Sequence, residues 1–261
     1  MDACYLAEAQ AFLRYASLPG RDPAIVYLTG LGLSVFGTFS GGIVEPTRST
    51  RRALLVDFLG AGASDAPESF AYTLEDHART VAALLDAVEI RGSTVVGYSF
   101  GGSVAITLAA TRPDLVGALV VIEPNLDPGG GFLSKRIADQ TEAAFRESGF
   151  TQLVSEYVRR ARDGSGVTAI TVGMMRAVAP LALHRSAVGL VRGTNPMMRE
   201  RLLGLAIPRA MIRGEASGKV RGEDELGASG VRFHVVPAAG HGMMWENPDG
   251  FVRALTLAIG S

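Results

Sequence analysis

Ser99 and His241 are the two side chains whose types and surroundings suit acyl-transfer chemistry. A serine hydroxyl is a weak nucleophile at neutral pH and needs an adjacent base. An imidazole can take its proton and later return it to a leaving group. Ser99 lies in Gly97-Tyr98-Ser99-Phe100-Gly101, between the β-branched run Thr94-Val95-Val96 and an alanine-rich stretch that begins at Gly102. Those flanks predict a strand, a sharp turn with serine at its tip, and a helix. In a G-x-S-x-G elbow of this kind the small residues let strand and helix approach closely while the serine is held exposed. The string alone would carry little in a chain with 32 glycines; the strand and helix on either side carry the argument. Of the four histidines, His77 falls in a helical pattern, His184 in another, and His234 within the alternating segment Val231-Arg232-Phe233-His234-Val235-Val236. Only His241 sits on a glycine-flanked loop after a strand, in Pro237-Ala238-Ala239-Gly240-His241-Gly242.

The elements that must position these two groups follow from periodicity. Strands alternate with helices up to about residue 123, which predicts a mostly parallel sheet. Thr73-Leu74-Glu75-Asp76 reads as a helix start resembling a capping box, followed by the apolar stripe Leu74, Ala78, Val81, Leu85 and Val88. A sixth strand, Ala118-Leu119-Val120-Val121-Ile122-Glu123, is stopped by Pro124, and Pro128-Gly129-Gly130-Gly131 marks a break. Residues 125–206 then give helical patterns at 135–147, 151–162, 168–178, 181–191 and 196–205, with no clear strand. Sheet character returns at Ile207-Pro208-Arg209-Ala210-Met211-Ile212, and a last helix begins near residue 247, with Phe251, Leu255 and Ile259 on one face.

Two further segments complete a pattern. Ala24-Ile25-Val26-Tyr27-Leu28-Thr29-Gly30-Leu31-Gly32 is an apolar strand running into a glycine turn, and Asp57-Phe58-Leu59-Gly60-Ala61-Gly62-Ala63-Ser64 follows the next one. With the serine elbow and the histidine loop, four motifs stand in the order found in the α/β-hydrolase fold superfamily, which the chain resembles over about residues 24–250. The resemblance implies the α/β fold class, with a mostly parallel central sheet and flanking helices. It also implies a helical cap at 125–206, inserted after strand six, and a core formed by 1–124 and 207–261. It implies Ser99 as nucleophile and His241 as base, with the chain order Ser…acid…His. The oxyanion hole would use the backbone N–H groups of Phe100, the residue after the nucleophile, and Leu31. Two positions depart from the family pattern: Thr29 stands where a histidine is usual, and Ser217 stands where an Asp usually follows strand seven. Some members carry the acid at the end of strand six instead, where this chain has Glu123. Glu123 is the preferred acid, with Glu215, Asp127 and Asp224 as alternatives. Asp57 reads as a turn-forming residue.

Composition limits the rest. The 261 residues carry 48% apolar and 20% charged side chains with a net charge of −1, as expected of one sizeable globular core. Nothing favours a nucleic-acid partner. No apolar run reaches the ~18 residues of a membrane span, and the acidic, unbasic start reads as no signal peptide. The single Cys4 allows no internal disulfide and fits a reducing, cytoplasmic setting. No His/Cys cluster has zinc spacing. Gly30-Leu31-Gly32 lacks the third glycine of a dinucleotide fingerprint, and 214–219 lacks P-loop spacing. Neither metal nor cofactor is therefore expected, and no oligomeric state is read from the sequence. Met243, Met244 and Trp245, beside His241, are expected to line an apolar substrate pocket. Between 125 and 206 basic side chains outnumber acidic ones 11 to 7. The expected partner is a small acyl substrate: an ester, thioester or lactone cleaved through an acyl-enzyme on Ser99. Cofactor-free haloperoxidase or perhydrolase chemistry, lyase chemistry and a non-catalytic ligand receptor are the alternatives on this scaffold.

Overall fold

The computed structural model describes residues 1–164 and 168–260. Residues 165–167 of the expected cap, and residue 261 at the end of the expected core, lie outside the described residues. The chain forms an eight-stranded sheet, ordered β1-β2-β4-β3-β5-β6-β7-β8. Strands β1 (Asp2–Leu6) and β2 (Ala11–Leu18) make an antiparallel hairpin at one edge, and β2 runs antiparallel to β4 (Arg51–Val56). The remaining neighbours are parallel: β3 (Arg21–Leu28), β5 (Ser93–Tyr98), β6 (Val116–Ile122), β7 (Arg209–Gly214) and β8 (Val231–Val236).

The central strands are apolar on both faces because helices cover both. Within β3, Val26 and Leu28 join one core cluster while Ile25 and Tyr27 join the other. In β6 the same alternation sends Leu119 and Val121 one way and Val120 and Ile122 the other. The first face is closed by α3 (Leu74–Ala87) and α4 (Phe100–Thr111). The second is closed by α1 (Val35–Thr38), α2 (Gly41–Arg48) and the last helix, Pro248–Gly260. The expected capping box is present: the Thr73 hydroxyl accepts the Asp76 N–H at 3.1 Å, and the Asp76 carboxylate accepts the Thr73 N–H at 3.1 Å.

All described residues between β6 and β7 are helical or connecting: α5 (Phe132–Ala138), α6 (Glu142–Ala144), a π-helical turn (Phe145–Gly149), α7 (Phe150–Arg162), α8 (Ala169–Ala177), α9 (Pro180–Arg192) and α10 (Met198–Gly204). The single helix expected at 135–147 is divided. It starts earlier, at Phe132, and is interrupted where the Thr141 hydroxyl accepts the Ala144 N–H at 3.2 Å and caps a new helix. The helical insertion is tied to the sheet unit by arginines. Arg185 donates to the main-chain carbonyls of Glu68 and Phe70 at 2.8 Å each, and Arg201 reaches Glu75 at 3.0 Å. After β7 come α11 (Glu223–Ala228), then β8, the short α12 (Met243–Glu246) and α13 (Pro248–Gly260). No described helix is long and apolar enough to cross a membrane.

His77, on α3, lies wholly inside an aromatic cage of Phe58, Phe70, Tyr72 and Phe100. Its Nε2 meets the Ser186 hydroxyl at 3.3 Å, and its Nδ1 has no partner among the described residues. Burial pushes the imidazole pKa down to about 3. In the unfolded chain the ring titrates at about 6.5, so between these values unfolding takes up a proton. Stability present above pH 6.5 is therefore lost as the pH falls, with a slope approaching ~1.4 kcal/mol per unit from this group. Denaturant unfolding from pH 6.5 to 5 checks this: His77→Gln should give a visibly shallower slope, and an unchanged slope would contradict it.

Candidate active site

The backbone at the end of β5 presents Ser99. Its φ of 52° and ψ of −115° lie in a region that L-residues seldom adopt, the strain expected of an elbow. Two glycines make that turn possible. A Cβ on Gly97 would lie 2.4 Å from the Gly101 carbonyl oxygen, and one on Gly101 would lie 2.4 Å from the Thr29 carbonyl oxygen. The Ser99 N–H donates to the Ile122 carbonyl at 2.8 Å, which fixes the elbow to the neighbouring strand end.

Glu123 follows β6 directly and also has positive φ, 41°. Its N–H donates to the Ile212 carbonyl at 3.1 Å. One carboxylate oxygen, Oε1, accepts the Gly214 N–H at 2.8 Å; the other, Oε2, lies 2.6 Å from His241 Nδ1. Burial alone would raise the Glu123 pKa, but hydrogen bonds from His241, the Gly214 N–H and the Ser217 hydroxyl outweigh it and hold it below the usual carboxylate range. Ser217 occupies the position where the resemblance placed an acid. It serves as a donor to the acid that sits on the neighbouring strand end.

His241 Nε2 lies 3.2 Å from Ser99 Oγ. An ionised carboxylate only accepts hydrogen bonds, so Nδ1 carries the proton and neutral Nε2 is left to accept from the serine O–H. The ring is half exposed, with 51% of the side chain accessible. Beneath it lies Tyr98, whose ring centroid is 5.1 Å away at 35° and whose hydroxyl donates to the His241 carbonyl at 3.1 Å. Burial pushes the Tyr98 pKa strongly upward, so this donor stays neutral. Trp245 packs edge-on against Tyr98 and donates from Nε1 to the Gly37 carbonyl at 3.1 Å. Glu246 accepts the Gly240 N–H at 2.5 Å. The histidine loop is thus held from below and from both sides.

The alternative acids are engaged elsewhere. Glu215 accepts the Ala238 N–H at 2.9 Å, Asp127 is held by Arg199 at 2.7 and 3.0 Å, and Asp224 is exposed 3.5 Å from Lys219. Asp57 is buried and accepts the N–H groups of Val35 and Ala63 at 2.7 and 3.0 Å, knitting two loops together. The Phe100 N–H opens α4, so it has no intrahelical acceptor, while the Phe100 ring is buried beside Phe58. Leu31 occupies the turn between Gly30 and Gly32 and lines the cavity above Ser99. Thr29, at the usual histidine position, shares a 2.5 Å hydrogen bond with the Thr38 hydroxyl.

The cavity holds about 760 Å³ and is walled by Ser99, His241, Leu31 and Trp245 from the sheet unit. Leu133, Tyr157, Met175 and Leu190 from the helical insertion complete it. Of the three residues expected to line a substrate pocket, Trp245 lines this cavity, whereas Met243 and Met244 do not: both are buried in the core cluster. Consecutive residues on α12 turn in different directions, and the two methionines turn inward. Sequence reasoning missed Tyr157, Arg160, Thr168 and Thr171, which also line the cavity; no local signature marks a wall made by helices meeting. Among the described residues no group of His, Cys, Asp and Glu is arranged to hold a metal.

A family model for the alpha/beta hydrolase fold matches residues 23–189. The chain belongs to that family, and it is an enzyme of the hydrolase class. An esterase of Mycobacterium tuberculosis is 28% identical over 265 residues, covering 90% of this chain and 82% of the relative. A 2-(acetamidomethylene)succinate hydrolase of Mesorhizobium japonicum is 25% identical over 261 residues, covering 91% and 88%. The solved enol-lactonase of Burkholderia xenovorans superposes with a TM-score of 0.82 at 20% identity and covers 100% of both chains.

Ser217→Ala should raise the Glu123 pKa, because one of three donors to the ionised form is lost. A carboxyl NMR titration of wild type and variant checks it; a Glu123 pKa that stays put or falls would show that the hydroxyl does not support the charge.

Proposed function

We propose that this α/β-hydrolase cleaves a small carboxylic ester, thioester or lactone through an acyl-enzyme on Ser99. The observation that carries this reading is the unbroken chain Glu123–His241–Ser99, with contacts of 2.6 and 3.2 Å, opening into the cavity of about 760 Å³. In this reading the Ser99 proton passes to His241 Nε2 as Oγ attacks the carbonyl carbon. The N–H groups of Phe100 and Leu31 receive the negative charge that develops on oxygen. The imidazolium then protonates the leaving alcohol or thiol, and a water activated by the same nitrogen releases the acid. Glu123 remains ionised throughout, keeping the ring in the productive tautomer and stabilising its charged form. The cavity volume falls in the range common for small-molecule sites, and its largely apolar wall suits an acyl chain.

Labelling with a serine-directed fluorophosphonate, followed by turnover of acyl esters of graded length, tests the reading. Ser99→Ala should abolish both, with a loss of about 10⁴-fold or more in ester hydrolysis. His241→Ala should be comparably damaging, and the double variant should lose little beyond the worse single one, because the two act as a unit. Substantial turnover by folded Ser99→Ala would sink the mechanism.

The acid is tested separately. Glu123→Gln should cost at least ~10² in kcat and Glu215→Gln less than ~10-fold, measured side by side. The reverse ranking would place the acid after β7.

A further inference from the structure

His241 stands on a loop without regular structure, between the end of β8 and the start of α12. The β7–β8 ladder ends at the pair Gly214 and Val236, so from Pro237 onward strand pairing no longer fixes the chain. Even so, the main chain from Pro237 to His241 is met at every residue, carbonyl and N–H in alternation. The Pro237 carbonyl accepts from Asn247 Nδ2 at 2.8 Å, and the Ala238 N–H donates to Glu215 Oε2 at 2.9 Å. The Ala239 carbonyl accepts the Ala216 N–H at 2.9 Å, and the Gly240 N–H donates to Glu246 Oε2 at 2.5 Å. The His241 carbonyl accepts from the Tyr98 hydroxyl at 3.1 Å. Side chains thus do along this loop what a paired strand does along a ladder.

Both N–H groups of the series end on carboxylates, and such charge-assisted bonds are about twice as strong as neutral ones. Glu215 holds the strained point: Ala238 has a φ of 50°, which a non-glycine residue keeps only where its surroundings impose it. Glu246 holds the residue next to the histidine. Its other oxygen, Oε1, lies so near Gly242 that a Cβ there would come within 2.9 Å of it, so glycine after His241 leaves the carboxylate its seat. Neither group belongs to the Glu123–His241–Ser99 relay. We propose that Glu215 and Glu246 are positioning residues, which hold the main chain at Ala238 and Gly240 and so keep His241 Nε2 at its 3.2 Å from Ser99 Oγ. Glu123 meets the ring at Nδ1 alone, at 2.6 Å, and a single contact leaves the ring free to swing about it. A displacement of about 1 Å in such a geometry can cost about 10²-fold in rate. The expected loss of rate rests on the reading of His241 as the base; the expected loss of ring order does not.

The test has two arms. Glutamine keeps an acceptor oxygen without the charge, aspartate keeps the charge but draws it back by one methylene, and alanine removes both. In the first arm, Glu215→Ala and Glu246→Ala should each lower kcat on an acyl ester by ~10- to 100-fold, with KM within about threefold of wild type. Glu215→Gln and Glu246→Gln should restore most of that loss. Glu215→Asp and Glu246→Asp should each lose at least ~5-fold, and they carry the test where an alanine variant does not fold. In the second arm, the proton between His241 Nδ1 and Glu123 Oε2 is followed by low-field proton NMR in Ser99→Ala protein, with no turnover needed. Its signal should broaden or vanish with alanine or aspartate at either position and persist with glutamine. That pattern with no ester hydrolysis by wild type would keep the clamps and sink the esterase reading. The proposal would be overturned by alanine or aspartate variants with kcat within twofold of wild type and an unchanged proton signal. Glutamine variants as impaired as their alanine counterparts would overturn it as well.

Discussion

The Glu123 carboxylate joins strand ends that would otherwise present their side chains independently. It grows from the end of β6, accepts the main-chain N–H that closes β7, and holds the imidazole delivered by the loop after β8. Its two oxygens therefore link the ends of three adjacent parallel strands, β6, β7 and β8, beside the elbow that projects Ser99. Parallel strands pair through evenly spaced, slanted hydrogen bonds that do not dictate what happens beyond their last residue. A charged acceptor with several donors does, because leaving any of them unmet in a largely buried position is expensive. The lowered pKa of this carboxyl is the thermodynamic sign that the surroundings are built for its ionised form.

How far the sequence could be read depended on whether the deciding contacts were local. The elbow was legible because Gly97, Ser99 and Gly101 must satisfy a steric condition within five residues, and neighbouring strand and helix patterns confirm it. The Thr73–Asp76 cap was legible for the same reason. The β1–β2 hairpin was not foreseen: the turn at residues 7–10 carries no Gly, Pro, Asn or Asp, and its Gln10 adopts a positive φ without the residue type that usually announces one. The break near residue 140 was missed because an apolar periodicity continues across it while the Thr141 side chain starts a fresh helix. The strand-end position of Glu123 and the Ser217 gap were both legible in the sequence, and the structure places the Glu123 carboxylate 2.6 Å from His241 Nδ1. That Ser217 donates to Glu123 emerges only when two loops meet.

The pocket illustrates the other side of that limit. Met243, Met244 and Trp245 are consecutive in sequence and near His241, yet only the tryptophan reaches the cavity. Chain proximity to a functional residue says little about which way a side chain turns on a four-residue helix. Tyr157 and Arg160 are more than eighty residues from His241 and belong to the wall all the same. A cavity formed where an inserted set of helices meets a sheet edge is defined by packing between units, and no single segment carries its description.

Glu123 is separated from the helical insertion by Pro124 alone, whereas a carboxylate after β7 would be rooted on the far side of that insertion. The stem from which the seven inserted helical pieces among the described residues depart is thus also the main chain of the residue whose carboxylate meets the imidazole. Pro124 packs on Gly102, where a Cβ would come within 2.9 Å of the ring, so the stem is braced against the elbow helix. The roof of the cavity and the carboxylate that meets the imidazole thus hang from one stretch of main chain, Glu123–Pro124.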